Sequence, residues 1–467
     1  MTHQTAQVQI STRDWNSRRD KTATISKGPV PGFSVVMLIS FQPCPARAML
    51  LKCEKLASAM EKKLVILTHL FVRWLTDFGN VITFMDQEGY SVSIYSNPPS
   101  ELPDLNWDAP ELFADYRSIL PAGTDIHFLP FRRNKLDLLG LIRMTAIGAR
   151  LARRYPGGFF MLWHMPIIVT IGLPLRLMNR KSLFMVTGLG TVLGDRTARF
   201  RFHRIVALFF YRLLFSGRNS RVLTHNQEDK EFLVRRTGVD PAKVVVTPGC
   251  GVDPACFPFF ERLPENDPPV ILVPARLIVQ KGIFEAGAAS RLLNERGIRH
   301  EMWFTSGLEP YYPSISISRE QLEEMRRQSA SIRFLGYVKS LVPLFERCDI
   351  VCYPTRYPEG VPTALIEAAA CGRPVVTTDN VGCRDISIHE QSALVAPIND
   401  PKALADALER MIQDPALRER LRRNAYSRFL SDFTKDIVLQ RTIDAFESMG
   451  YRFHGEQRSR DIRMGVA

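Results

Sequence analysis

The sequence predicts an α/β protein in two halves, each a parallel sheet flanked by helices, and three observations predict it. At 467 residues the chain exceeds the roughly 100–200 residues of one ordinary domain. From residue 63 onward short apolar runs alternate with helical stretches, the signature of stacked βαβ units. That rhythm halts at Phe257 to Pro269, a stretch with four prolines and no periodicity, and then restarts, which marks a linker between two domains.

In the first half the apolar runs predict strands at Leu64–Leu67, Ser91–Tyr95, Ile126–Leu129, Phe159–Trp163, Leu183–Val186, Val222–Thr224 and Val244–Val246. In the second half they predict strands at Val270–Val273, Met302–Thr305, Ile332–Leu335, Ile350–Tyr353, Pro374–Thr377 and Ala393–Ala396. Helix starts are signposted there: Ser318 with Gln321 forms a capping box, and Asp400-Pro401 sets a carboxylate before a first-turn proline. Leu404, Leu408, Met411 and Ile412 follow at helical spacing. Asn97 to Glu111 is proline-rich and reads as a loop. The expected domains are residues 60–256 and 270–430, joined by 257–269. A helix and tail over 431–467 are expected to pack back on the first domain, and residues 1–59 to be an extension outside the core.

Hydrophobic residues at 45% and charged residues at 23% argue against wholesale disorder and against a multispanning membrane protein. The longest apolar run, Phe159 to Leu175, holds two prolines and a histidine, so it reads as a strand then a helix rather than a membrane span. The first thirty residues are polar and predict no secretion signal. No two of the eight cysteines have C-x2-C spacing; Cys348 and Cys352 could meet on a helix face, but they flank Asp349-Ile350-Val351, which reads as a strand, so a reduced, cytoplasmic setting and no metal are expected. The net charge of +13 concentrates between Phe131 and Arg221, where seventeen Lys and Arg residues face only Asp137 and Asp195. Such a segment calls for an anionic partner: a membrane face, a phosphorylated acceptor or nucleic acid. Arg132, Arg133, Lys135, Arg150, Arg153 and Arg154 beside Leu136, Leu138, Leu139, Leu141 and Ile142 have the composition of an interfacial helix, or of an ordinary amphipathic packing helix.

The strongest chemical signal is Glu359-Gly360-Val361-Pro362-Thr363-Ala364-Leu365-Ile366-Glu367. A helix starting near Pro362 leaves free N–H groups from Gly360 to Thr363, and its dipole favours a diphosphate there. Glu367 lies in the second turn, within reach of a ribose, and Glu359 on the preceding loop suits a sugar. Arg276 and Lys281-Gly282 follow the strand Val270–Val273, where two cations can neutralise a departing nucleotide diphosphate.

Those motifs, with Phe334-Leu335-Gly336, Cys348-Asp349-Ile350-Val351, Gly372-Arg373-Pro374-Val375-Val376 and Gly382-Cys383-Arg384-Asp385, resemble the donor-binding domain of glycosyltransferase family 4. Thr187-Gly188-Leu189-Gly190, His225-Asn226-Gln227-Glu228-Asp229 and Gly249-Cys250-Gly251-Val252-Asp253 resemble its branch that builds capsule, O-antigen and lipid-linked glycans. The resemblance implies a GT-B fold, two Rossmann-like domains facing each other across a cleft, and retaining transfer without a metal from a nucleotide diphosphate-sugar, by resemblance a UDP-sugar. By the same resemblance Arg276 and Lys281 hold the diphosphate, Glu359 the sugar, Glu367 the ribose, and the Tyr337 or Val338 backbone after Gly336 meets the base. His164 matches a cleft histidine near the reacting centre, or is a satisfied core histidine. Gly188 and Gly190 are assigned to the acceptor side, with a polyprenyl diphosphate-linked acceptor on the inner membrane face. Where relatives carry a Gly-Gly loop, this chain has His69-Leu70-Phe71-Val72-Arg73, and Cys250 stands where serine is common. The rival readings are a nucleotide-sugar epimerase of the same fold, a transferase acting on a soluble acceptor, a catalytically silent subunit, and a nucleic-acid binder, which lacks any recognised motif.

Overall fold

The computed structural model describes residues 62–68, 71–97, 120–129, 138–194, 201–306 and 316–453. Its first sheet contains β1 (Lys63–Leu67), β2 (Ser91–Ser96), β3 (Asp125–Phe128), β4 (Phe159–Trp163), β5 (Lys181–Val186), β6 (Ser220–Thr224) and β7 (Val244–Val246). The second contains β8 (Val270–Val273), β9 (Glu301–Thr305), β10 (Ile332–Gly336), β11 (Ile350–Tyr353), β12 (Val375–Thr378) and β13 (Leu394–Ala396). Each predicted strand is present, with ends displaced by a residue or two. The extension and the loop tip from residue 98 lie outside the described residues, as do Arg132, Arg133 and Lys135.

Both sheets are parallel, in the orders β3-β2-β1-β4-β5-β6-β7 and β10-β9-β8-β11-β12-β13. Helices cover both faces, so β1 is apolar at every position from Leu64 to Leu67. Side-chain alternation then splits that run: Leu64 and Ile66 enter one core, Val65 and Leu67 the other. In each sheet the strand order reverses beside the first strand, between β1 and β4 and between β8 and β11. Such reversal points open a crevice at the carboxyl ends of the strands.

The carboxyl ends of the two sheets meet. Cys250 Sγ, after β7, is 3.3 Å from Thr363 Oγ1, beyond β11. Arg384 pairs with Glu228 at 2.6 Å. Residues 257–262 are fastened to the second domain by two buried arginines. Arg373 donates to the carbonyls of Cys348 (3.1 Å), Cys371 (3.3 Å) and Arg262 (3.4 Å), and Arg422 donates to those of Phe260 (3.0 Å) and Glu261 (2.5 Å). Buried Asp349 accepts from Val270 N and Asn266 Nδ2, both at 2.8 Å, and so anchors the start of β8.

After the helix Pro415–Asp432 in the second domain, the chain returns to the first. The helix Lys435–Glu447 packs Val438, Ala445 and Phe446 against Leu64, Ile66 and Phe159. Phe446 meets Phe159 edge-on, ring centroids 4.6 Å apart.

Candidate active site

Residues 279–281 form one 3-10 turn after β8, and Gly282 then turns left-handed (φ 75°) to start the helix Ile283–Glu295. A Cβ on Gly282 would lie 1.9 Å from the Pro354 carbonyl oxygen, so only glycine lets this turn pass against the end of β11. The tight passage delivers Lys281 into a buried polar cluster. Its Nζ lies 2.6 Å from Glu359 Oε1 and donates to Tyr353 Oη at 2.7 Å. Tyr353 Oη donates in turn to the Glu359 carboxylate (3.1 and 3.3 Å), and Thr355 Oγ1 donates to Glu359 Oε1 at 3.2 Å. Lys281 is only 5% exposed. Burial drives its ammonium toward the neutral form, Glu359 opposes that, and the nearby Arg276 charge reinforces it. Burial and the Glu359 charge likewise push the Tyr353 phenol well above its ordinary range, so it serves as a donor.

The Glu359–Gly360 loop is pinned from the first domain. A Cβ on Gly360 would fall 2.6 Å from the Thr187 carbonyl oxygen and 2.8 Å from His225 Cβ. His225 is itself fixed by Thr247 Oγ1 at 3.0 Å and stacks on Phe78. Gly188 abuts the Gly360 nitrogen and Gly190 approaches Tyr357 Oη, so both sit beside the Glu359 loop rather than with the basic helix. Beyond the loop the helix Thr363–Ala370 begins at Pro362, which brings no capping side chain to its first turn. Leu365, Ile366 and Ala368 to Ala370 are buried, Val361 and Pro362 lie buried before them, and Thr363, Ala364 and Glu367 are half-buried. Thr363 and Glu367, four apart, share one helix face; the Cys250 contact sets that face at the junction of the two domains.

His164 occupies the N-cap position of the helix Met165–Leu177 at the end of β4 with φ 79°, without a side-chain capping bond; it is half-buried, its ring 3.9 Å from that of Trp163. Trp163 Nε1 donates to Thr187 Oγ1 at 2.8 Å, which ties β4 to the Gly188 loop. Gly336 ends β10 with φ 73°, followed by exposed Tyr337 and half-buried Val338. Arg150, Arg153 and Arg154 are exposed on the helix Leu138–Arg154, apart from the Lys281 cluster. Among the described residues no group of His, Cys, Asp and Glu is arranged to hold a metal.

A second polar patch joins the domains. Asp229, buried in the first turn of the helix Gln227–Thr237, is pushed up to about 7 by burial, with Asp385 and Glu228 adding and the Asn226 amide opposing. Asp385, across the junction, is pushed up to about 6 by burial and Glu228 against the pull of Arg428 and Arg384. Arg384 bridges Glu228 and Asp379 (2.7 Å).

Sequence reasoning missed Tyr353 and Thr355. Tyr353 closes an apolar strand run and looks like core, and Thr355 carries no local signal. Reading Lys281 and Glu359 separately also hid that they form a pair.

A family model for glycosyl transferases group 1 matches residues 258–428. The N,N'-diacetylbacillosaminyl-diphospho-undecaprenol alpha-1,3-N-acetylgalactosaminyltransferase of Campylobacter jejuni is 26% identical over 274 residues, 56% of this chain and 69% of that protein. The glycogen synthase of Mycobacterium tuberculosis is 30% identical over 198 residues, 42% of this chain and 46% of its own length, so the chain spans less than half of that relative. The crystal structure of Anabaena HepE in complex with UDP and glucose superposes with a TM-score of 0.63 at 14% identity, covering 83% of this chain and 100% of that one. Two parallel-sheet α/β domains with such neighbours constitute a GT-B fold.

Proposed function

We propose that this chain, whose residues 258–428 form a glycosyl transferases group 1 domain, transfers a sugar with retention from a UDP-sugar to a lipid-linked glycan at an anionic cytoplasmic membrane face. One observation carries the reading: the buried Lys281–Glu359–Tyr353 cluster stands at the carboxyl ends of the second sheet, beside the uncapped start of the helix Thr363–Ala370. A cation kept in low dielectric and a helix N-terminus suit a pyrophosphate that gains charge as it leaves. The UDP complex of HepE supports the donor class, and the undecaprenol-linked name of the Campylobacter relative supports the acceptor class.

In this reading Arg276 and Lys281 hold the diphosphate, Glu359 accepts from a sugar hydroxyl, and Glu367 accepts from the ribose. The bond from the sugar anomeric carbon to the β-phosphate oxygen breaks as the acceptor oxygen forms its bond on the same face. The acceptor proton passes to the departing phosphate oxygen, so neither a covalent enzyme intermediate nor a metal is required. His164, on the first-domain side, lines the path of the acceptor.

A thermal-shift panel of nucleoside mono- and diphosphates and sugar nucleotides tests the donor site, since a ligand at 100 times its dissociation constant stabilises by about 2.7 kcal/mol. UDP and one UDP-sugar are expected to raise the melting temperature, and Lys281→Met to abolish the rise. A folded chain whose melting no diphosphate moves would refute the reading.

A further inference from the structure

The helix Arg201–Phe215 buries Ala207, Tyr211, Leu214 and Phe215 and turns a second apolar stripe outward. Phe202 is 72% exposed, Ile205 59% and Phe209 63%. Their spacing of three and then four residues sets them on one face, which Leu213 continues. The stripe is not isolated. Three helices lie side by side on one face of the first sheet: Leu138–Arg154 packs on Met165–Leu177 where Gly148 meets Ile171 and Pro174, and Met165–Leu177 packs on Arg201–Phe215 where Gly172 meets Leu214. Leu139, Ile142 and Leu177 are exposed on the other two. Seven of the twelve exposed large hydrophobic side chains among the described residues therefore belong to this single layer, too concentrated for scattered surface apolars.

The charge around the stripe identifies what covers it. From Leu138 to Arg221 the sequence holds one acidic residue, Asp195, against fourteen Lys and Arg residues. Exposed Arg201, Arg212 and Arg218 flank the stripe, and exposed Arg143, Arg150 and Arg153 border Leu139 and Ile142. A protein partner of ordinary composition needs acceptors and donors of both kinds on this face, whereas a large apolar stripe in a field of one positive sign matches an anionic bilayer: rings enter the acyl boundary while guanidinium groups stay at the phosphates. No helix among the described residues is long and apolar enough to cross a membrane, so the contact is one of lying on the surface.

We propose that the helix Arg201–Phe215 is a membrane-insertion element, which seats Phe202, Ile205 and Phe209 in an anionic phospholipid surface, with the helix Leu138–Arg154 as its electrostatic flank. This deepens the proposed function and rests on its membrane-presented acceptor; the donor site stands or falls separately.

The test sediments the full chain with vesicles of phosphatidylcholine alone, or with about one part phosphatidylglycerol to two parts phosphatidylcholine. The unaltered chain is expected to pellet only with the anionic vesicles. Phe202→Ser, Ile205→Ser and Phe209→Ser combined should weaken that binding by about tenfold or more. The combined Leu replacements at the same three positions should restore it, which separates loss of apolar insertion from misfolding. The UDP-induced thermal shift is expected to be unchanged in both. Anionic-vesicle binding by the Ser variant equal to that of the unaltered chain, or failure of the unaltered chain to bind, overturns the proposal. So does concentration-dependent self-association through the stripe without lipid. Loss of the UDP shift with vesicle binding intact would sink the donor-site reading and leave this inference standing.

Discussion

Lys281 is pulled two ways: burial favours its neutral amine, and a carboxylate 2.6 Å away favours its ammonium. Because burial wins, its folded-state pKa falls below the ordinary 10.5, the native state releases that proton first, and this group favours folding more as pH rises toward the ordinary lysine range. In the proposed function a negative diphosphate beside Lys281 would favour its ammonium form, so binding and protonation would reinforce each other. Lys281→Met is expected to lower kcat by about 100- to 1000-fold, as loss of one transition-state donor does. Tyr353→Phe keeps the ring, removes the hydroxyl between Lys281 and Glu359, and should lower kcat about tenfold with melting changed by no more than about 1–2 kcal/mol. Steady-state kinetics in both variants, with melts as control, decide; a kcat unchanged in Tyr353→Phe would show the hydroxyl to be structural only. Lys281 and Glu359 were legible in the sequence because charged residues beside glycines at strand ends stand out. Tyr353 was not, because its hydroxyl finds partners 72 and 6 residues away that no local pattern displays.

Among the elements, the helix starts at Gln227 and at Cys383 meet at the interface between the domains. Asp229 and Asp385 bring like charge together there, and the native state holds the Asp229 proton up to about pH 7, where an unfolded aspartate has lost it. A raised folded-state pKa means that the native state binds more protons than the unfolded one, so stability falls as pH climbs from about 4 to about 7. Melting temperature is expected to decline between pH 5 and pH 8, and Asp229→Asn to flatten that decline and melt higher than the unaltered chain at pH 8. A flat profile in the unaltered chain, or an equal slope in the variant, would contradict the linkage. Strands and helix caps were readable along the chain because buried parallel strands are apolar on both faces and caps are local chemistry. The stripe of the helix Arg201–Phe215 was not singled out, since an apolar periodicity has the same form whether it faces a core or lies in the open. Arg373 entered through motif resemblance, yet its guanidinium fastens the interdomain segment to the second domain.

At the scale of the whole molecule, the two sheet domains are joined by the helix Lys435–Glu447, which leaves the second domain to complete the core of the first. Phe446 is fully buried there against Phe159. Phe446→Ala should therefore cost about 3–5 kcal/mol and lower the melting of the first domain, although the residue lies beyond the segment 258–428 that the family model matches. A denaturant titration that shows less than about 1 kcal/mol of loss would mean that the crossing helix adds little. Seven strands, then six, and the place of the Glu359 loop between a strand end and a helix start were determined by the sequence alone, because hydrophobic period and turn chemistry are written within a few residues of where they act. Tertiary structure alone decided that Lys281 pairs directly with Glu359 and shares Tyr353 Oη with it, that Gly188 and His225 hold the Glu359 loop from the opposite domain, and that three phenylalanine- and isoleucine-bearing turns remain uncovered. Each depends on groups far apart in sequence becoming neighbours, and burial and low dielectric, which set their charge and contacts, exist only after that approach.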